Sequence, residues 1–491
     1  MNTTKTENLI KYPILLVLAY FTLFGHIERQ PVRIFDEARL ANNAYEMYKN
    51  GNFVVTYYDG KPDMWNTKPP LMIWCQAFFI KSFGVRELSV RLPAAISAFL
   101  LCVFLVFFSV RYLKNQWLGF FAVIVLLTSF GYIHVHAART GDYDSTLTLF
   151  TAIYSLLFFQ YIESDKPKYL YLSVVGIILA TLTKGIAGLL FVPALVIYAF
   201  VRNKVLSIAK LKHLYIGILM FIIVIGGYYL FRESQNHGYL KAVWENELGG
   251  RYFEVNEGHA ANFWYYFSML RLHHYRYWLL FVPIGFIVGL FSKDKRIGNI
   301  AIFSSISIVC YFLIISISKT KLEWYAVPLY PFLALLAAVL IDSVFSLVKN
   351  FTSTKQYAFI RLIPFILLIA VFYSPVYKTL KRMIPPREFS WDVETYNIGY
   401  FLKDAVKGKY NLTDHVLLHD GYFAHILFYQ RVLQENGMNV SLNTDWRNIE
   451  GNCTVVAYQA EVKDFLEMNF NYDVVFTRSN IVIYRLTDRR L

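Results

Sequence analysis

Charge is scarce in this chain, and cysteine is scarcer. Only 17% of its 491 residues are Asp, Glu, Lys or Arg, while 56% are hydrophobic. A soluble protein of this length needs more polar surface than that. The apolar residues also recur in long runs, so the composition predicts a polytopic membrane protein. Carboxylates are the scarcer charge, with 34 Asp and Glu against 48 Lys and Arg, which leaves a net charge of +14. Nucleic acid is one partner such a charge suggests. The cations, however, sit in short loops between apolar runs, as the positive-inside rule expects of a membrane protein. The four cysteines, Cys75, Cys102, Cys310 and Cys453, show neither close pairing nor metal-ligand spacing. A disulfide framework and a zinc motif are therefore not expected. The first apolar run, 12–27, has no small-residue cleavage site after it and reads as an uncleaved span. There is no internal repeat and no low-complexity tract.

Candidate spans fall at 12–27, 91–110, 117–134, 146–162, 168–182, 186–201, 213–231, 277–291, 299–317, 325–347 and 358–374. That is about eleven, and up to about thirteen, because several runs are shorter than the ~20 residues a spanning helix needs. With the N-terminus in the cytoplasm, "RYLKNQ", "ESDKPK", "RNKVLSIAKLKH", "SKDKR" and "KNFTSTKQYAFIR" become inner loops, and each is basic. The longer loops 28–90 and 232–276 then face outward, with the short turns "HAARTGDYDS", "TKG" and "SKTKLEW". The expected organisation is a transmembrane domain, 1–374, and an extracytoplasmic domain, 375–491. In the latter, "HVLLHD", "CTVVAYQ", "DVVFTR" and "IVIYRL" read as strands and "NIGYFLKDAV" and "AEVKDFLEMNF" as helices, a small α/β domain.

Ionisable residues cluster on the expected outer side. Loop 28–90 carries Asp36, Glu37, Arg39 and Lys68. The following turns carry Arg139, Asp142, Asp144, Lys184, Lys319 and Lys321, and the long loop carries Arg251 and His259. Any one of these is as readily a simple membrane-end anchor. Together, carboxylates and cations at one membrane face suit transfer of a group from a lipid-linked phosphate. Cations hold the phosphate and a carboxylate takes a proton from the acceptor. Neither the Rossmann-like domain nor the acidic metal motif of a soluble nucleotide-sugar enzyme is apparent.

The stretch "FDEARLANNAYEMYKNGNFVVTYYDGKPDMWNTKPPLMIWCQAFFIKSFGVRELSVRLPAAI" resembles the first outer loop of lipid-to-acceptor glycosyltransferases of the GT-C fold. Among these, the bacterial aminoarabinose transferases acting on lipid A and the protein O-mannosyltransferase-like proteins (glycosyltransferase families 39 and 83) are the most similar. The resemblance continues through "ARTGDYDSTLTLF", "LTKGIAGLL", "GHAANFWYY" and "SKTKLEWYAVPLYPFLALL". It covers most of 30–340 and leaves out the C-terminal domain.

It implies a bundle of membrane helices with two amphipathic juxtamembrane helices in the first outer loop. It also implies inverting transfer of one sugar from a polyprenyl-phosphate donor, at the outer face of the cytoplasmic membrane. The acceptor is a lipid such as lipid A, a protein or a glycan. Asp36 becomes the leading catalytic acid, with Glu37 as support or helix anchor, and Asp144 matches a second family acid. Arg39, three residues on, can share a helix face with Asp36, and a pairing there would keep Asp36 ionised. Lys68, Lys184, Arg39, Arg251 and Tyr325 are the expected donor-phosphate residues, with His259 and Arg139 as further candidates. Asp142 reads as a polar turn residue.

Two positions depart from the family pattern. Thr67 stands where relatives carry an acid that binds a metal together with a loop histidine, which removes one ligand of a divalent metal that the resemblance otherwise allows; no cofactor is firmly implied. Glu323 stands where relatives often carry proline. No nucleotide or redox cofactor and no nucleic acid is implied. The rival readings are a polymer ligase, a flippase of lipid-linked sugars, which predicts helices broken at mid-membrane, and an envelope scaffold.

Overall fold

A computed structural model of the chain describes residues 3–134, 136–249, 258–355, 357–390 and 392–490. Each of the eleven expected runs is helical. Among the described residues, seven helices are long and apolar enough to cross a membrane: Glu87–Leu113, Asp144–Ser164, Pro167–Leu189, Lys212–Gln235, Lys295–Ile317, Glu323–Ser353 and Phe359–Met383. Shorter apolar helices such as Leu9–Phe24, Leu118–Leu127, Val192–Val201 and Phe281–Leu290 occupy the other expected positions. Their lipid-side residues are exposed, for example Leu219, Ile223, Leu230, Ile366 and Ile369. Small residues let the helices approach: a Cβ on Gly285 would lie 1.9 Å from the Leu336 carbonyl oxygen. This is how helices pack where lipid removes the hydrophobic drive between them. The chain is a multi-pass membrane protein.

Loop 28–90 holds two helices, Asp36–Asn50 and Leu71–Phe83, as expected. The first buries Ala38, Ala41 and Ala44 on one face, spaced by three residues, and ends at Gly51 in the left-handed conformation. Between the helices, strands β1 (Tyr57–Tyr58) and β2 (Lys61–Pro62) form a hairpin. Its turn residues Asp59 (φ 52°) and Gly60 (φ 73°) give the primed geometry favoured by Asp-Gly. This hairpin delivers Asp63 to the interior.

The last apolar helix runs on to Met383, nine residues past the expected boundary at 374. The C-terminal domain follows. Its sheet has strands β3 (His415–Leu418), β4 (Val440–Asn443), β5 (Thr454–Ala457), β6 (Phe470–Arg478) and β7 (Ile481–Arg489), in the order β4-β3-β5-β7-β6. β3 is parallel to β4 and β5, while β7 is antiparallel to β5 and β6. Helices Val393–Val406, Ala424–Glu435 and Ala460–Asn469 accompany it. The four expected strands and two expected helices form. β4 and the helix Ala424–Glu435 were not expected from the sequence.

This domain is docked on loop 28–90. Arg33 makes a two-pronged pair with Glu388 at 2.7 and 3.0 Å. Tyr429 donates to Glu87 and accepts from the Val32 amide. Asn42 donates to the Ala424 carbonyl, Arg431 pairs with Glu46, and Lys403 pairs with Glu87.

Candidate active site

The turn Gly141-Asp142-Tyr143-Asp144 is the hub. Each of the four residues ties down a different element. The Gly141 amide donates to Glu37 Oε1 at 2.8 Å, and its carbonyl accepts from Gln76 at 2.8 Å. A Cβ on Gly141 would lie 2.5 Å from Val90, so no other residue fits. Asp142 faces His136, with Oδ1 3.5 Å from Nδ1. The Tyr143 hydroxyl meets Asn66, and its ring lies 5.6 Å from the Lys68 ammonium. Asp144, first residue of its helix, accepts from Lys184 Nζ at 2.6 Å.

Asp36 begins its helix, and its carboxylate is 49% exposed, enough to meet a substrate. It sits 3.9 Å from His136 Nδ1. Phe35 before it has φ 70°, a strained conformation for a bulky residue, and stacks on Tyr422 of the C-terminal domain at 5.5 Å. The docked domain thus packs beside the residue that aims Asp36.

Glu37 has the opposite environment. It is fully buried and accepts four hydrogen bonds, from Arg91 Nε and Nη2, the Arg33 amide and the Gly141 amide. Burial alone would raise its pKa. The Arg91 charge and these donors outweigh burial and hold it below the usual value. Both oxygens are used, so Glu37 locks the helix in place and has nothing left for a substrate.

The Asp36–Arg39 pairing that the spacing allows is not the one Arg39 makes. Arg39 instead forks onto Asp63 at 2.9 and 2.7 Å and lies over Tyr58. Asp63 matches the planar guanidinium with both oxygens and is fixed further by Asn43 and the amides of Trp65 and Asn66. Arg39 is therefore part of the frame rather than a free phosphate ligand.

Lys68 lies 3.1 Å from Glu247 of loop 232–276, and the Thr67 hydroxyl is 3.4 Å from the same oxygen. Pro69 follows, and a Cβ on Gly185 (φ 56°) would lie 3.8 Å from its Cδ. The "KPP" and "TKG" turns are thus neighbours. Lys184 lies 5.7 Å from the Tyr325 ring. The structure accordingly brings Lys68, Lys184 and Tyr325 around the hub. Arg251 lies outside the described residues. His259 is exposed, and its carbonyl accepts from the Lys321 amide. Arg139 donates to the carbonyls of Thr22 and Gly25, tying the turn to the end of the first helix.

Sequence reasoning missed His136. It has φ 63° and stacks on Trp324 at 3.7 Å, 14° from parallel. Burial opposes its charge, but Asp142, then Asp36 and Asp144, raise its pKa to about 9. Asp142 is not an ordinary turn residue. It is buried, with Oδ2 accepting from the Thr140 hydroxyl. The signal available was a histidine six residues before Asp142 in "HVHAARTGD". A metal at the family's position beside Thr67 does not fit. The carboxylate that reaches it, Glu247, is already paired with Lys68, whose charge would repel an ion.

A cavity of about 790 Å³ is lined in part by Arg139 and Thr140, the residues just before the hub. Glu323 also lines it, and Arg33, Arg139, Arg276, Lys378, Arg382 and Arg387 outnumber its acids, Glu323, Glu388 and Asp392.

Residues 67–229 match the family described as dolichyl-phosphate-mannose-protein mannosyltransferase. An undecaprenyl phosphate-α-4-amino-4-deoxy-L-arabinose arabinosyl transferase of Edwardsiella ictaluri is 26% identical over 332 residues, 66% of this chain and 58% of that protein. The crystal structure of ArnT from Cupriavidus metallidurans bound to undecaprenyl phosphate superposes with a TM-score of 0.71. It is 17% identical, and the match covers 99% of this chain and 98% of that one. The chain is a membrane glycosyltransferase of the GT-C fold. An oligosaccharyltransferase of Archaeoglobus fulgidus shares the GT-C architecture more distantly, with a TM-score of 0.50 over 94% of this chain and 73% of its own. The structural likeness to ArnT also takes in the C-terminal domain, which the sequence resemblance left out.

Proposed function

We propose that this GT-C protein transfers a single sugar from a polyprenyl-phosphate donor to an acceptor at the outer face of the cytoplasmic membrane. The observation that carries the reading is the Gly141–Asp144 hub. It holds an accessible carboxylate, Asp36, near two lysines that come from distant turns. In this reading Lys68 and Lys184, with Tyr325, hold the donor phosphate. Their present partners, Glu247 and Asp144, occupy the positions that a phosphate would share. As the sugar–phosphate bond breaks, negative charge grows on the leaving phosphate, and the two ammonium groups stabilise it. Asp36 takes the proton from the acceptor as its nucleophilic atom attacks the anomeric carbon from the opposite face. One displacement inverts that carbon.

The acceptor would enter through the cationic cavity, which suits an anionic molecule. Lipid, protein and glycan acceptors differ in what they would place there. The test is reconstitution of the purified protein with undecaprenyl-phosphate sugars and envelope extract, with the product identified by mass. Asp36→Asn should abolish transfer while donor still binds. Near-normal turnover in that variant would remove Asp36 from the reaction. Transfer from a nucleotide sugar without lipid phosphate would overturn the donor assignment.

A further inference from the structure

Asp36, His136 and Asp142 each present one ligand atom, and the three atoms lie within 4.8 Å of one another. We propose that these three residues form a binding site for a first-row divalent cation such as Zn²⁺ or Mn²⁺, away from the Thr67 position. The first argument is geometric. Ligands on a four-coordinate ion with bonds of about 2.0–2.2 Å stand about 3.3–3.6 Å apart. Nδ1 of His136 is 3.5 Å from Asp142 Oδ1 and 3.9 Å from Asp36 Oδ2, and the two carboxylates offer oxygens within 4.8 Å of each other, so the exposed Asp36 side chain would close on the ion.

The second argument is that the buried ligand atoms hold each other only loosely. Asp142 is only 1% exposed, and among the described residues neither its Oδ1 nor His136 Nδ1 makes a hydrogen bond of ordinary geometry. They face one another as an ion pair at 3.5 Å, which a cation between them would replace. The third argument is orientation. The Thr140 hydroxyl takes the other Asp142 oxygen, and Trp324 fixes the imidazole plane. Ligands held from behind in this way are typical of metal centres.

The ligand set decides the ion class. One imidazole nitrogen with two carboxylate oxygens favours a transition ion over Mg²⁺ or Ca²⁺, and two carboxylates balance its charge. Three protein ligands leave coordination positions open. Asp36, half exposed, provides the entry path.

Full-length protein in detergent, stripped with chelator, is titrated with Zn²⁺ by calorimetry and with Mn²⁺ by electron paramagnetic resonance. One ion per chain is expected. Asp142→Asn and His136→Gln should each weaken binding at least about tenfold. Asp36→Asn, at an exposed position where folding is safe, should also weaken it. His259→Gln should leave binding unchanged. Absence of stoichiometric binding to the wild type would overturn the site, and so would undiminished binding in Asp36→Asn. The readout is binding itself, so it stands apart from whether the sugar-transfer reading is right.

Discussion

Adjacent acids at the start of one helix should fail in opposite ways. Glu37→Gln is expected to destabilise the protein, and Asp36→Asn to inactivate it. Glu37 accepts four hydrogen bonds, two of them from Arg91. Among the described residues, no other carboxylate is in hydrogen-bond contact with Arg91. Its remaining donors go to the carbonyls of Ile27, Gln30 and Pro31. A glutamine keeps one acceptor oxygen, but its amide then points a donor at two donors. At least two hydrogen bonds and the compensating charge are lost, while Arg91 stays buried. Hydrogen bonds to charged groups are worth about 1.5–3 kcal/mol each, and breaking a buried pair from one side costs about 3–5 kcal/mol. The same change at an exposed pair, Lys49→Met against Glu435, should cost no more than about 1 kcal/mol.

The assay is thermal unfolding in detergent, followed by tryptophan fluorescence and compared with transfer per folded molecule. Glu37→Gln should fall well below Lys49→Met in melting temperature, and Asp36→Asn should melt like the wild type. The pH dependence has a sign. Glu37 has a folded pKa below its usual 4.5, so its contribution is present above that value and lost as pH falls through the depressed one. The gap between wild type and Glu37→Gln should therefore close only in acid. Replacing both partners by apolar residues, Glu37→Leu with Arg91→Met, should recover part of the loss. A Glu37→Gln protein as stable as the wild type, with no transfer, would refute the reasoning and return Glu37 to the chemistry.

Lys68→Met should weaken donor binding or slow transfer by about 1–3 kcal/mol, roughly five- to 150-fold, measured with undecaprenyl phosphate. Lys184→Met should do the same but also destabilise, because Asp144 is left buried and unpaired. Adding Asp144→Asn should restore folding without restoring transfer. Tyr422→Ala removes the ring stacked on Phe35 and should lower transfer about two- to tenfold with insertion unchanged, the range an aromatic pair is worth. His425 is buried with both ring nitrogens unpaired and a pKa lowered to about 3 by burial, so the unfolded chain takes up a proton below pH 6.5 that the folded chain refuses. Stability should fall by about 2 kcal/mol between pH 7 and pH 5 on this account, and His425→Leu should flatten that slope in melting experiments.

The membrane part was legible because its signals are local. Long apolar runs and basic loops fix helices and turns residue by residue, and the motif order placed Asp36, Lys68, Lys184 and Tyr325 around one hub. What failed was partner choice. Arg39 is three residues from Asp36, which sequence spacing favours, but the hairpin at Asp59-Gly60 brings Asp63 in with both oxygens. Spacing along a helix cannot anticipate a carboxylate delivered by a turn 24 residues away. Asp142 and His136 were illegible for a related reason. Their meaning lies in the bend just before the helix Asp144–Ser164, where neither period applies. In the C-terminal domain, β4 carries only two apolar residues, Val440 and Leu442, whereas the equally short β3 and β5 sit in denser apolar runs.

The pairing pattern also ties the C-terminal domain to the helix that carries Asp36. Asp36 is half exposed, so packing on its own side chain does not aim it. Its direction comes from Phe35, whose backbone is strained, and from the helix that Glu37 locks. Strain of this kind persists only where surrounding contacts over-determine it. Arg91 supplies that from the membrane side, and Tyr422 with the Arg33–Glu388 and Arg431–Glu46 pairs supplies it from above. A chain truncated after Met383 would keep every residue of the hub and lose half of what holds Phe35. It should still insert and retain the two lysines, but transfer should fall much further than donor binding. Equal losses of both would mean that the domain supports the donor site instead of aiming Asp36.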